Sequence, residues 1–113
     1  MSGMDAFELA DLVARRDASG RAYLEFISVA DLSVGLYVLG AGQPDRQQPH
    51  TEDEVYYVIS GRGKVTVGDE VRDVGPGSIV FVAAAVPHRF HEITEDLTLF
   101  VAFGPAEGSR GPG

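Results

Sequence analysis

Between Tyr23 and Phe103 the chain is a succession of short β-rich runs broken by Gly, Pro and Asp. This punctuation constrains the fold more than any other feature. The runs are AYLEFISV, LSVGLYVL, EVYYVIS, KVTVG, EVRDV, SIVFVAA, HRFHEI and LTLFVAF. Val, Ile, Tyr and Phe dominate them, as a pleated and half-buried surface favours. About eight short strands with turns every 8–12 residues describe a sandwich or barrel and exclude alternating βαβ units.

The breaks have mechanisms. Gly68-Asp69 is a two-residue hairpin signal, because glycine accepts positive φ. Gly75-Pro76-Gly77 is a second break, and Gly61 and Gly63 read as flanking a tight reversal. KVTVG alternates apolar and polar residues, which predicts one wet face. EVYYVIS and IVFVA are nearly continuous apolar runs, which predicts cover on both faces.

Outside this region two segments differ. DAFELADLVARR, residues 5–16, carries Leu9, Leu12 and Val13 at helical spacing, with Asp5 as a cap and Glu8 three residues on. The closing GPAEGSRGPG is rich in Gly and Pro and offers little to pack, so order is not expected there. The expected division is a helix and lead-in over residues 1–20, one β barrel over 21–104 and a disordered tail over 105–113. The length of 113 residues fits a single domain of this kind.

Charge and composition narrow the partners. Nine Lys and Arg against 17 Asp and Glu leave a net charge of −8, the wrong sign for nucleic acid or an anionic membrane surface. No apolar run approaches the roughly 20 residues that span a bilayer. The N-terminus lacks the basic and apolar regions of a signal peptide, so the expected location is the cytoplasm. With no cysteine, there is no thiolate to bind metal or attack a substrate.

The chemistry concentrates in two places. In QQPHTEDEVYYVISG, residues Gln48, His50, Glu52, Glu54 and Tyr56 share one parity and point to one face of an extended chain. Such a row is costly to bury without compensation, and a divalent cation is a natural compensator. In GPGSIVFVAAAVPHRFHEI, small alanines lead to Pro87, which pins the backbone just before His88. His91 has the opposite strand parity to His88 and is expected to face away.

These two segments resemble the paired motifs of the cupin superfamily. His50, Glu54 and Gly61 keep the spacing of the first motif, with Gln48 where its other histidine stands. Gly77 and His88 keep the register of the second, with Ala83, Ala85 and Glu92 in place of Pro, Gly and Asn. The resemblance implies an all-β, jelly-roll barrel of the double-stranded β-helix type. It also implies a metal held by His50, Glu54 and His88, with Gln48 in the remaining slot. Two imidazoles and a carboxylate suit Fe, Mn, Ni, Co or Zn and leave open positions, while an amide at Gln48 weakens the set.

Around this site, Glu92 shares parity with His88 and reads either as an acid/base group or as a rim carboxylate. Tyr56 reads either as core packing or as a wall that meets substrate. The functions expected are a metal-dependent small-molecule enzyme, dioxygenase-like or isomerase/lyase-like, or a non-catalytic module that binds a metal or small ligand. A homodimer is expected, since AYLEFISV offers an apolar edge and small cupins are commonly dimers.

Overall fold

The computed structural model describes residues 3–45 and 49–109. One helix, α1 (Leu9–Ser19), precedes six strands. These are β1 (Tyr23–Val29), β2 (Leu32–Leu39), β3 (Asp53–Val67), β4 (Glu70–Val74), β5 (Ile79–Val82) and β6 (His88–Gly104). They form one antiparallel sheet in the order β1-β2-β6-β3-β4, with β5 also pairing β3, rolled into the expected all-β barrel.

The helix starts later than its sequence predicts. Glu8 stands at the N-cap without a side-chain bond, so Asp5 does not cap, and the helix runs on until Gly20 ends it in a left-handed turn. Only Leu12 of its apolar stripe is buried.

The larger difference lies in the strands. Four of the expected runs join into two long ones, β3 of 15 residues and β6 of 17. Gly61 and Gly63 are therefore not a reversal of the chain. They lie inside β3, where its pairing with β6 shifts register between Val58 and Ser60, Ser60 and Arg62, and Arg62 and Lys64. Gly61 has φ +95°, and a Cβ there would stand 2.1 Å from the carbonyl oxygen of Asp96. Only glycine permits that conformation and that approach.

These bulges fold the β3–β6 ribbon back on itself. Glu54 pairs Phe103, while Val67 pairs His88. A straight strand would separate Glu54 from Val67 by about 40 Å. Instead His88 Nε2 and Glu54 Oε1 are 2.8 Å apart. Inside the bend lies the core, built from Val58, Val65, Phe90, Leu97, Leu99 and Val101 among others. Gly68-Asp69 forms the hairpin predicted, with Val67 facing Glu70.

The outer surface departs from expectation. The apolar runs of β3 and β5 alternate in and out rather than being covered on both faces. Val55 and Tyr57 point outward beside Phe81 and Ile79 respectively, and Tyr57 pairs Phe100 on its other side. Ile79 is 67% and Phe81 61% exposed.

The C-terminal segment also differs. Residues 105–109, expected to lack order, return across the barrel. The Glu107 amide donates to Ser33 Oγ at 2.8 Å, and the Gly108 amide donates to Glu52 Oε1 at 2.9 Å. Ala106 is buried. Two buried side-chain acceptors supply the anchor that composition does not reveal.

Candidate metal centre

His50, Glu54 and His88 converge. One donor atom from each lies within 4.8 Å of the others. Each arrives by its own route. Glu54 is the second residue of β3 and points inward with Tyr56 and Val58. His88 opens β6 just after Pro87. His50 lies ahead of β3 in an irregular segment, and its carbonyl accepts the Ala85 amide at 2.6 Å. The Ala84 amide donates to Asp53 Oδ1 at 2.8 Å, so the loop before His88 is stitched to the loop that carries His50.

The electrostatics are unusual for a barrel interior. Glu54 is 2% exposed, and neither carboxylate oxygen has a hydrogen-bond partner among the described residues. Its Oε1 is 2.8 Å from His88 Nε2, but the approach is not aligned as a hydrogen bond. Two ligands of one cation, each about 2.1 Å from it, stand about 3 Å apart and aim at a common point rather than at each other. The Glu54–His88 separation is of that size.

His88 is oriented through its other nitrogen, as Nδ1 lies 2.9 Å from the carbonyl of Val86. Nδ1–H donates there, so Nε2 is the nitrogen that faces Glu54. Burial favours the neutral ring, but the Glu54 carboxylate, the Val86 carbonyl and the charge of Asp45 outweigh it, and the His88 pKa is raised. The Tyr56 hydroxyl stands 3.1 Å from the same Nε2.

A cavity of about 130 Å³ opens beside the cluster, lined by Tyr23, Tyr37, His50, Tyr56, Phe103 and Glu107 with Val101. The Tyr23 hydroxyl is buried with no partner among the described residues. Gly35 gives this ring its place, since a Cβ there would fall 2.2 Å from it. Burial, with Glu107, Glu25 and Glu54 nearby, raises the Tyr23 pKa. Burial and then Asp45 raise that of Tyr37, whose hydroxyl donates to Asp45 Oδ1 at 2.9 Å. Both phenols are therefore neutral donors at any ordinary pH. The Glu107 carboxyl is raised by burial and by Glu25, Glu54 and Glu52, against the lowering influence of His50.

Of the other residues singled out in the sequence, Tyr56 is buried at the site, with its ring edge-on to Phe90. Glu92 is not brought to it. Its carboxylate is 67% exposed and faces Lys64 at 4.0 Å. The parity argument fails there because β6 bulges, with φ +46° at Glu92. His91 turns away to Thr66, at 2.7 Å from its Oγ1. Glu52 is buried too, but it serves the C-terminal segment. The expectation for Gln48 lies outside the described residues. Tyr23 and Glu107 were not legible as site residues: one lies in an ordinary strand, the other in a segment that reads as a tail.

The sequence model of the Cupin domain family matches residues 35–103, which span both arms of the cluster. This chain belongs to the cupin family. A related cupin-length protein, the uncharacterized protein SCO3923 of Streptomyces coelicolor, is 52% identical over 104 residues, 92% of this chain and 99% of that one. The solved structure of TT1209 from Thermus thermophilus is similar with a TM-score of 0.74 and 29% identity, over 90% of this cupin and 98% of that chain. The DMSP lyase DddQ of Ruegeria pomeroyi matches with a TM-score of 0.69 and 21% identity, over 74% of this cupin and 46% of the lyase. At that identity the likeness is one of fold. Ala85 is where the cupin substitution for glycine has a structural cost, since its φ is +66°. No helix among the described residues is long and apolar enough to cross a membrane.

Proposed function

We propose that this cupin holds a divalent transition cation on His50, Glu54 and His88 and acts on a small oxygen-bearing molecule in the adjoining cavity. Gln48, two positions before His50, is offered as a neutral fourth donor. The observation that carries the reading is Glu54, a buried carboxylate with neither oxygen hydrogen-bonded among the described residues and an imidazole nitrogen 2.8 Å away. A carboxylate so placed is costly unless a positive charge accompanies it. The donor set fits Fe, Mn, Co, Ni or Zn.

When bound, such a cation supplies a Lewis-acid centre with positions open to a ligand. The protein's own groups do the rest. Tyr23 offers an unpartnered hydroxyl to a ligand oxygen. Tyr56 holds a proton at its hydroxyl within reach of the cavity, and Val101 and Phe103 keep water from that wall. A cavity of about 130 Å³ takes a molecule of roughly benzene size. The reaction classes that match are dioxygenase-like or isomerase/lyase-like chemistry. The exposed position of Glu92 favours a second reading, a cupin that binds its metal and ligand without turnover, since one acid/base candidate is turned outward. A homodimer joined through the exposed apolar face of β3 and β5 accompanies either reading.

Elemental analysis of the purified chain, beside His50→Ala and His88→Ala, tests the proposal. One equivalent of transition metal in the wild type, lost in both variants, supports it. Equal trace metal in all three after reconstitution overturns it. Oxygen uptake and product analysis with the Fe(II) form then separate turnover from binding.

A further inference from the structure

The C-terminal segment is held closed by side chains that are expensive to bury. Ser33 is 0% and Glu52 1% exposed, and each accepts one backbone amide of the segment, at Glu107 and Gly108. Thr51 Oγ1 donates to the other oxygen of Glu52. The Ala106 amide reaches the Ala30 carbonyl at 3.4 Å. Taken together, a buried carboxylate and a buried hydroxyl fix the backbone of two consecutive residues. The side chain between these anchors is Glu107, which lines the cavity and sets its Oε2 3.3 Å from His50 Nδ1.

We infer that residues 105–109 form a strap whose purpose is to position His50, with Glu107 as the partner of its Nδ1–H. His88 has its Nδ1 fixed by the Val86 carbonyl. Glu107 stands at 3.3 Å from the corresponding nitrogen of His50, a charge contact that a small rotation of the carboxylate turns into the same restraint. A carboxylate that accepts from Nδ1–H keeps the lone pair on Nε2, stops the ring from rotating and raises the basicity of the free nitrogen. The ring of Phe103 packs edge-on to the same imidazole, with centroids 4.8 Å apart, and limits its tilt. Glu107 is a positioning residue. The inference rests on the cation site proposed above, and it extends that site to a segment that reads in sequence as a dispensable tail.

Two measurements on the full chain decide it. The first is the nitrogen-15 shifts of the His50 ring in metal-free protein, for the wild type, Glu107→Ala and Glu107→Gln. The wild type and Glu107→Gln keep the proton on Nδ1, because an amide oxygen still accepts it, while Glu107→Ala shifts the tautomer ratio toward Nε2–H. The second is Zn(II) or Co(II) affinity by calorimetry. Glu107→Ala weakens it by about 10–100-fold and Glu107→Gln by less than about tenfold. Ser33→Ala, which frees the strap without touching His50, weakens it in the same direction. An unchanged tautomer in Glu107→Ala overturns the inference, whatever the affinity does. Equal losses in Glu107→Ala and Glu107→Gln overturn it as well, since charge alone would then be at work. If the wild type binds no cation, the cation reading falls, and the tautomer shifts still decide the role of Glu107.

Discussion

The backbone amide of Ala85 donates to the carbonyl of His50 across 2.6 Å, and Ala85 makes that bond from the left-handed region at φ +66°. An alanine held there costs about 1–2 kcal/mol. Glycine would remove the strain but would have more unfolded-state freedom to lose, about 0.4–1 kcal/mol. Ala85→Gly is therefore expected to gain roughly 0.5 kcal/mol, read as a higher urea midpoint at constant m-value. Ala85→Val is expected to lose more than about 1 kcal/mol, because a β-branched residue tolerates this region least.

Gly61 is a stricter case. A methyl there meets the Asp96 carbonyl at 2.1 Å, with backbone on both sides and φ at +95°. Gly61→Ala is expected to cost more than about 3 kcal/mol. Thermal unfolding measures it, and the same variant should lose cation binding in proportion to its unfolded fraction.

Glu54 separates function from stability. Glu54→Gln removes an anionic ligand and also removes a buried charge that has no hydrogen-bond partner among the described residues and, above the His88 titration, no cation beside it. Cation affinity is expected to fall by more than the roughly 100-fold that loss of a supporting group can cost. The melting temperature of the chelated protein is expected to stay level or rise. A fall of several degrees would instead mark Glu54 as a structural partner of His88. Gln48→His, which supplies an imidazole in place of an amide, is expected to tighten Zn(II) and Ni(II) binding.

The pH response follows from His88, whose folded pKa lies above its ordinary 6.5. The folded chain then holds this proton more tightly than the unfolded chain. Its stabilising contribution is complete below about pH 6.5 and is lost as pH rises through the folded value. In chelator, the melting temperature is expected to fall as pH rises above about 6.5 in the wild type and less so in His88→Gln. With saturating Zn(II) the trend reverses, because the proton competes for Nε2 and metal stabilisation grows as pH rises.

The exposed face of β3 and β5 gives a prediction about assembly. Ile79 and Phe81 lie more than half exposed beside Val55 and Tyr57. Light scattering is expected to give a dimer for the wild type and a monomer with native circular dichroism for Phe81→Asp. A wild-type monomer would show that this face is simply tolerated.

How much of this was readable from the chain depends on the range over which each signal acts. His50, Glu54 and His88 are named together by the cupin resemblance, which rests on local motifs, and the structure brings these three groups close to one another. Strand content and the Gly68-Asp69 hairpin were legible because they too rest on local pattern. The bends in β3 and β6 were not. Gly61-Arg62-Gly63 has the composition of a turn, and only pairing with a distant strand makes it a bulge. Glu92 escapes a parity count from His88 for a similar reason, because β6 bulges where Glu92 stands. Glu107 was illegible because its anchors, Ser33 and Glu52, stand 74 and 56 positions before the amides they hold.

The doubled-back ribbon has one more consequence. Glu54 and His88 sit at opposite extremities of a single pair of strands, so they meet only after that pair has wrapped fully around the core. No partially formed hairpin can present the two together. Ion capture by this chain would therefore signal completion of folding, and a cation added during refolding should bind in step with the last kinetic phase and leave earlier ones unaltered.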